Sequence, residues 1–149
     1  MAAGNFTLYS NAGLQIGQGG INLSTGTFVM ILVTTAYTPA PNTDATYANV
    51  SANEIATGGG YTVGGQVMST TWTLSTATDT FNFTAVTWST FTAVGRYAVI
   101  IQRAGASLAS TDKLVAYSDL TGSGSFTGGG LNFMVAPNAS GAFTLTHTP

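Results

Sequence analysis

Few residues in this chain could do chemistry, and their spacing says which chemistry that would be. His147 is the single histidine among 149 residues. A general base needs a partner that orients it and a nucleophile within hydrogen-bond reach. His147 closes an alternating segment at the C-terminus, and no serine sits in a nucleophile-elbow pattern. It reads as a strand-end residue. The five acids are Asp44, Glu54, Asp79, Asp112 and Asp119. Two carboxylates could act as acid and base on a glycosidic bond, and a cluster could hold calcium. No D-x-D-x-D-G loop occurs, and Asp79 (TATDTF) and Asp112 (ASTDKL) lie in turn-like stretches where Asp bonds nearby backbone. Turn and cap roles are therefore expected for the acids.

The remaining motifs are equally spare. Glycine clusters at 17–20 (GQGG), 58–60 (GGG) and 128–130 (GGG) lack the Lys-Ser/Thr pair of a phosphate loop, so they read as turns. Matches to N-x-[ST] at Asn5, Asn22, Asn49, Asn82 and Asn138 follow from a chain rich in Asn and Thr. There is no cysteine, which excludes a disulfide framework, a thiolate nucleophile and a Cys-based zinc site, and fits synthesis in a reducing cytoplasm. Trp72, Trp88 and Tyr61 read first as core or sheet-face residues and second as stacking platforms for sugars. No catalytic, cofactor-binding or metal-binding residue is assigned, no cofactor is expected, and the chain is not expected to be an enzyme.

Composition sharpens that reading. Charged residues make up 5% of the chain, against about 25% in ordinary soluble domains. Arg96, Arg103 and Lys113 are the full basic complement and the net charge is −2, which argues against nucleic acid and a basic membrane-surface helix. The longest apolar run, FVMILV (28–33), is far short of the ~20 residues that span a bilayer. The N-terminus lacks the basic and apolar regions of a signal peptide. A hydrophobic fraction of 44% suffices for a core and excludes charge-driven disorder.

The elements that must position these residues are strands. FVMILVTT (28–35) is apolar on both faces and predicts a covered central strand ended by Pro39 and Pro41. RYAVIIQR (96–103) predicts a second. QVMSTTWTLS (66–75) and DTFNFTAVTW (79–88) alternate as half-buried strands, with Phe81, Phe83 and Ala85 sharing one face. KLVAYSDL (113–120), GGLNFMVAP (129–137) and GAFTLTHT (141–148) complete the set, and residues 47–55 predict one short helical turn. The expected architecture is an all-β, single-domain β-sandwich over 1–149, jelly-roll or immunoglobulin-like. It would have roughly eight strands, at most one short helix, and an N-terminal arm over 1–24.

One long stretch carries a resemblance. Residues 28–69 run from FVMILV through TTAYTP and an aspartate and tyrosine loop to GYTVGGQVM. Further on come FTAVTWSTFTAVGRYAVIIQ (83–102), KLVAYSDL and GAFTLT (141–146) in the same order. This succession resembles a family of small tailed-bacteriophage virion proteins. Those relatives carry more charge and a more helical N-terminal stretch, where this chain has LYSNAGLQIGQGGINLS (8–24).

The resemblance implies a structural virion component without catalytic residues. The expected role is a capsid cement (decoration) protein on the capsid exterior, made in the host cytoplasm. Its partners would be the major capsid protein and itself, as a homotrimer, with no nucleic acid and no membrane. A tail or head–tail connector subunit is the alternative, and a carbohydrate-binding β-sandwich module the second.

Overall fold

A computed structural model describes residues 5–146 of the chain. The described chain opens with β1 (Thr7–Leu8) and a two-turn helix, α1 (Ser10–Gly17), then enters β2 (Thr27–Val33). A long loop holds two 3-10 turns, Tyr47–Asn49 and Ser51–Asn53, before β3 (Gln66–Val67) and β4 (Thr70–Thr73). β5 (Thr78–Phe83), β6 (Val86–Phe91), β7 (Val94–Gly95) and β8 (Tyr97–Arg103) follow. β9 (Lys113–Asp119), β10 (Phe126–Thr127), β11 (Leu131–Val135) and β12 (Phe143–Thr146) close it. Eight of these twelve strands are four residues or longer, and four are two-residue pieces. The chain is an all-β sandwich with one short α-helix.

The central layer is a five-stranded sheet in the order β1-β9-β8-β2-β3, with every pairing antiparallel. β2 and β8 pair along their whole length, from Thr27 opposite Arg103 to Val33 opposite Tyr97. Six of the seven residues of β2 and the first five of β8 are buried. Successive strand side chains face opposite ways, so both faces of this pair are covered. Each fully buried Val, Leu or Ile there contributes about 1.5–3 kcal/mol relative to exposure.

The second layer is built from the sheet β12-β5-β4 and the pairs β11-β6 and β10-β7. Phe81 of β5 packs edge-on against Phe28 of β2 at 5.0 Å and stacks on Phe143 of β12 at 4.9 Å. Farther along, Phe91, Phe126 and Phe133 form a second aromatic knot, with Phe126 and Phe133 stacked at 4.5 Å. One core cluster runs from Phe6 to Phe143 and joins both layers.

Several expectations need correction in detail. The segment 66–75 is two strands, because the chain passes between sheets at Met68 and Ser69. The Met68 N–H bonds the Phe28 carbonyl, while the Ser69 carbonyl accepts the Thr84 N–H. The segment 79–88 is likewise split at Thr84 and Ala85 into β5 and β6. The helical turn expected over 47–55 is the two 3-10 turns, and the α-helix lies in the N-terminal stretch instead. Within the segment expected to be an arm, the described residues are packed: Phe6, Tyr9, Ala12, Ile21 and Leu23 belong to the core. His147 lies outside the described residues.

Candidate functional site

The loop from β2 to β3, residues 34–65, must satisfy its backbone without a strand ladder of its own, since buried N–H and C=O groups need partners. It does so partly by straddling the central sheet. Ile55 N–H bonds the Leu32 carbonyl and Thr34 N–H the Asn53 carbonyl on one side. Tyr47 N–H bonds the Asp112 carbonyl and Leu114 N–H the Ala45 carbonyl on the other.

Two acids in this loop complete the fastening. Glu54 accepts the Tyr61 hydroxyl (2.6 Å) and the Gly64 N–H (2.7 Å) at Oε1, and the Tyr47 hydroxyl (2.5 Å) at Oε2. Asp44 accepts the Tyr37 hydroxyl at 2.6 Å and the Ala40 N–H at 3.0 Å on Oδ2, and the Tyr37 and Tyr9 hydroxyls lie 2.8 Å apart. Both carboxylates are 9% exposed. Burial pushes the Tyr37, Tyr47 and Tyr61 phenols well above their ordinary range, and the neighbouring carboxylates push the same way. Burial also raises Tyr9. These phenols therefore stay protonated donors at neutral pH, and the arrangement anchors backbone.

The other acids bind turns. Asp112 accepts the N–H groups of Ala104 and Ala109, closing the loop between β8 and β9. Asp119 accepts Thr121 and Gly122 N–H on one oxygen and the Arg96 guanidinium on the other, at 2.8 and 3.0 Å. Asp79, on β5, accepts the Ser75 N–H. Asp44, Glu54, Asp112 and Asp119 thus draw on separate partners. Among the described residues no three His, Cys, Asp or Glu side chains gather where they could hold a metal ion. Asparagines act in the same way: Asn22, Asn49 and Asn138 each accept a backbone N–H two to four residues away.

The aromatic platforms separate cleanly. Trp88 is 1% exposed and Tyr61 is 2% exposed, so neither ring offers a face to a sugar. They pack on each other at 6.2 Å. Trp72 alone of the three is half-buried, and it lines a shallow groove of about 230 Å³ with Ile16, Ile21, Asn22, Leu23 and Ser24. A second crevice, about 280 Å³, lies between Asn5, Phe6 and Leu8 on one side and residues 140–144 on the other.

The charge distribution is the feature that sequence alone could not give. Asp44, Glu54 and Asp112 are buried, and Asp79, Asp119, Arg96, Arg103 and Lys113 are half-buried. Among the described residues no Asp, Glu, Lys or Arg counts as exposed; each is buried or half-buried. The outer surface is instead Thr, Ser, Gly, Asn and Ala, punctuated by Leu131 (78% exposed), Leu74 (73%) and Val67 (58%). That surface can make neutral hydrogen bonds and small apolar contacts with a partner. No family model, no curated protein and no solved structure matches this chain.

Proposed function

We propose that this chain is a non-enzymatic bacteriophage structural protein, a capsid cement that binds the outer surface of the major capsid protein shell and self-associates, as a trimer, on it. The phage context comes from the sequence resemblance. The observation that carries the mechanism is the withdrawal of every Asp, Glu, Lys and Arg side chain into a buried or half-buried position. Contacts made by such a surface do not depend on ion pairs, which salt screens within about 10 Å at 0.1 M. A nearly uncharged surface is a solubility liability for a free monomer. Covering it against a shell and against sister subunits removes that liability, and Leu131, Leu74 and Val67 give such contacts apolar anchors.

The test is cosedimentation of the purified protein with emptied capsids of its phage, combined with mass measurement of the free protein. Saturable binding that is unchanged between about 0.1 and 1 M salt, by an oligomer, supports the reading. A strictly monomeric protein that leaves the shell bare overturns it. A protein inventory of the particle separates cement, present in hundreds of copies, from a tail or connector subunit present in far fewer.

A further inference from the structure

We propose that the groove between the end of α1 and β4 is a subsite for one ring of a neutral saccharide, with Trp72 as the stacking face and Asn22 as the hydrogen-bond donor. The inference is independent of capsid binding, because it rests on the groove itself.

Charge matching selects the ligand class first. The residues lining the groove, Ile16, Ile21, Asn22, Leu23, Ser24 and Trp72 among them, include no acid and no base. A phosphate, a carboxylate or an ammonium group would enter it unpaired, whereas an uncharged polyol would not. Size narrows the class further. At about 230 Å³ the groove falls below the ~300–1,000 Å³ of pockets for drug-sized ligands, which suits a single ring.

The polar lining is pre-oriented. Asn22 Oδ1 accepts the N–H groups of both Ser24 and Thr25 at 3.0 Å, and these two donors fix which end of the amide is oxygen. The backbone of Asn22 is held as well, its N–H donating to Gln102 Oε1 at 2.7 Å. The Asn22 Nδ2 group thereby becomes a positioned donor that is engaged by no described residue. The Ser24 hydroxyl is uncommitted in the same sense. Ile16, Ile21 and Leu23 supply an apolar floor beside the indole. A pyranose presents the complementary pair of surfaces, a C–H face for an aromatic ring and hydroxyl oxygens at its edge.

The test uses the full chain and neutral monosaccharide probes: the methyl glycosides of glucose, galactose and mannose, and N-acetylglucosamine. Trp88 is sealed in the core, so a saturable change in tryptophan fluorescence reports Trp72. Calorimetry then compares variants whose circular dichroism matches the parent. Asn22→Asp keeps the oxygen that binds Ser24 and Thr25 but removes the donor, and is expected to weaken binding about threefold to tenfold. Trp72→Ala is expected to weaken it about tenfold or more, with Trp72→Phe falling between. The proposal is overturned if no neutral sugar binds the folded protein, if both variants bind as the parent does, or if charged glycans alone bind. It is also overturned if Trp72→Ala abolishes self-association while the parent binds no sugar, because the groove then belongs to a second copy.

Discussion

The Tyr61 hydroxyl donates to Glu54 Oε1 at 2.6 Å and accepts the Leu32 N–H at 3.1 Å, so one phenol ties the loop's carboxylate to the backbone of the central strand. Glu54 needs both oxygens as acceptors, one for Tyr61 and Gly64 and the other for Tyr47. Glu54→Gln supplies one acceptor oxygen and turns an N–H₂ toward a donor. The expected loss is about 2–3 kcal/mol of unfolding free energy, read from urea denaturation. Tyr61→Phe is expected to cost about 1–3 kcal/mol, because the buried Leu32 N–H loses its partner. The double variant should lose less than the two costs added, since both changes break one network. Strict additivity would show that the Tyr61–Glu54 bond contributes nothing.

Three buried phenols and the half-buried Tyr47 also set an alkaline limit. Tyr9, Tyr37, Tyr47 and Tyr61 have native pKa values raised above the ordinary ~10 of an unfolded chain. A raised value means that the native state holds its protons more tightly. The corresponding stability is fully present below pH ~10 and is lost as pH climbs through the native values. Phenolate absorbance is therefore expected to show these four still protonated at pH ~11 while the circular dichroism is native. They should ionise together with unfolding. Independent titration of these four near pH 10 in a folded protein would contradict the hydrogen-bonded network.

How much of this was legible in the sequence depends on whether the signal was local. β2 and β8 were plain because a strand covered on both faces needs a continuous apolar run, and FVMILV and YAVII are such runs. The break between β5 and β6 was also written there. Phe81 and Phe83 are buried in one phase, but Val86 and Trp88 in the other, and a shift by one residue moves a strand's apolar set to the opposite face. Reading Ala85 as a continuation of the first phase concealed it.

α1 left no comparable trace. It is eight residues long with two glycines and no side-chain cap, too short to display a 3.6-residue stripe. Tertiary contacts hold it: Ser10 N–H bonds the Pro41 carbonyl, and Ala12 is buried. Of the two acids read from their local context as turn-binding, Asp112 closes a loop by accepting Ala104 and Ala109 N–H, whereas Asp79 lies on β5 and accepts the Ser75 N–H from there. The roles of Asp44 and Glu54 were not legible, because their tyrosine partners became neighbours only when the loop closed. A weak signal existed in the spacing, for Tyr37–Asp44, Tyr47–Glu54 and Glu54–Tyr61 are each seven residues apart.

At the acid end the relevant pair is Arg96 and Asp119. Partial burial works against the Asp119 carboxylate, but the Arg96 guanidinium and the donors of Thr121 and Gly122 outweigh it and hold its pKa below the usual value. A lowered native pKa gives stability that is present above the unfolded value of ~3.9 and fades as pH falls through the native one. The pair is about a quarter exposed, with side-chain exposures of 27% and 26%, so solvent screens it and its contribution to stability is small. Asp119→Asn retains an oxygen for Thr121 and Gly122 while removing the charge. Its stability should fall slightly at pH ~7 and converge on the parent's as pH falls through the lowered native value of Asp119. A constant difference across this range would assign the effect to the turn and not to the charge.

The last prediction concerns the residue that lets the loop return to the sheet. Gly65 has φ +64° and lies so close to β2 that an added Cβ would fall 2.0 Å from the Met30 carbonyl oxygen. Neighbouring Gly64 also has positive φ, +97°, but an added Cβ there would meet nothing within 4 Å. The two positions thus separate backbone strain from collision. Gly64→Ala is expected to cost about 1–2 kcal/mol, the penalty of a left-handed conformation for a residue with a Cβ. Gly65→Ala adds a clash with backbone that cannot rotate away, and should cost about 3 kcal/mol or more. Because the strain would be relieved by lifting β3 from β2, amide exchange should quicken at Val67 and Met68 in Gly65→Ala but not in Gly64→Ala. Equal destabilisation of the two variants would mean that β2 yields to the added methyl, and that the close approach at Met30 does not hold the loop in place.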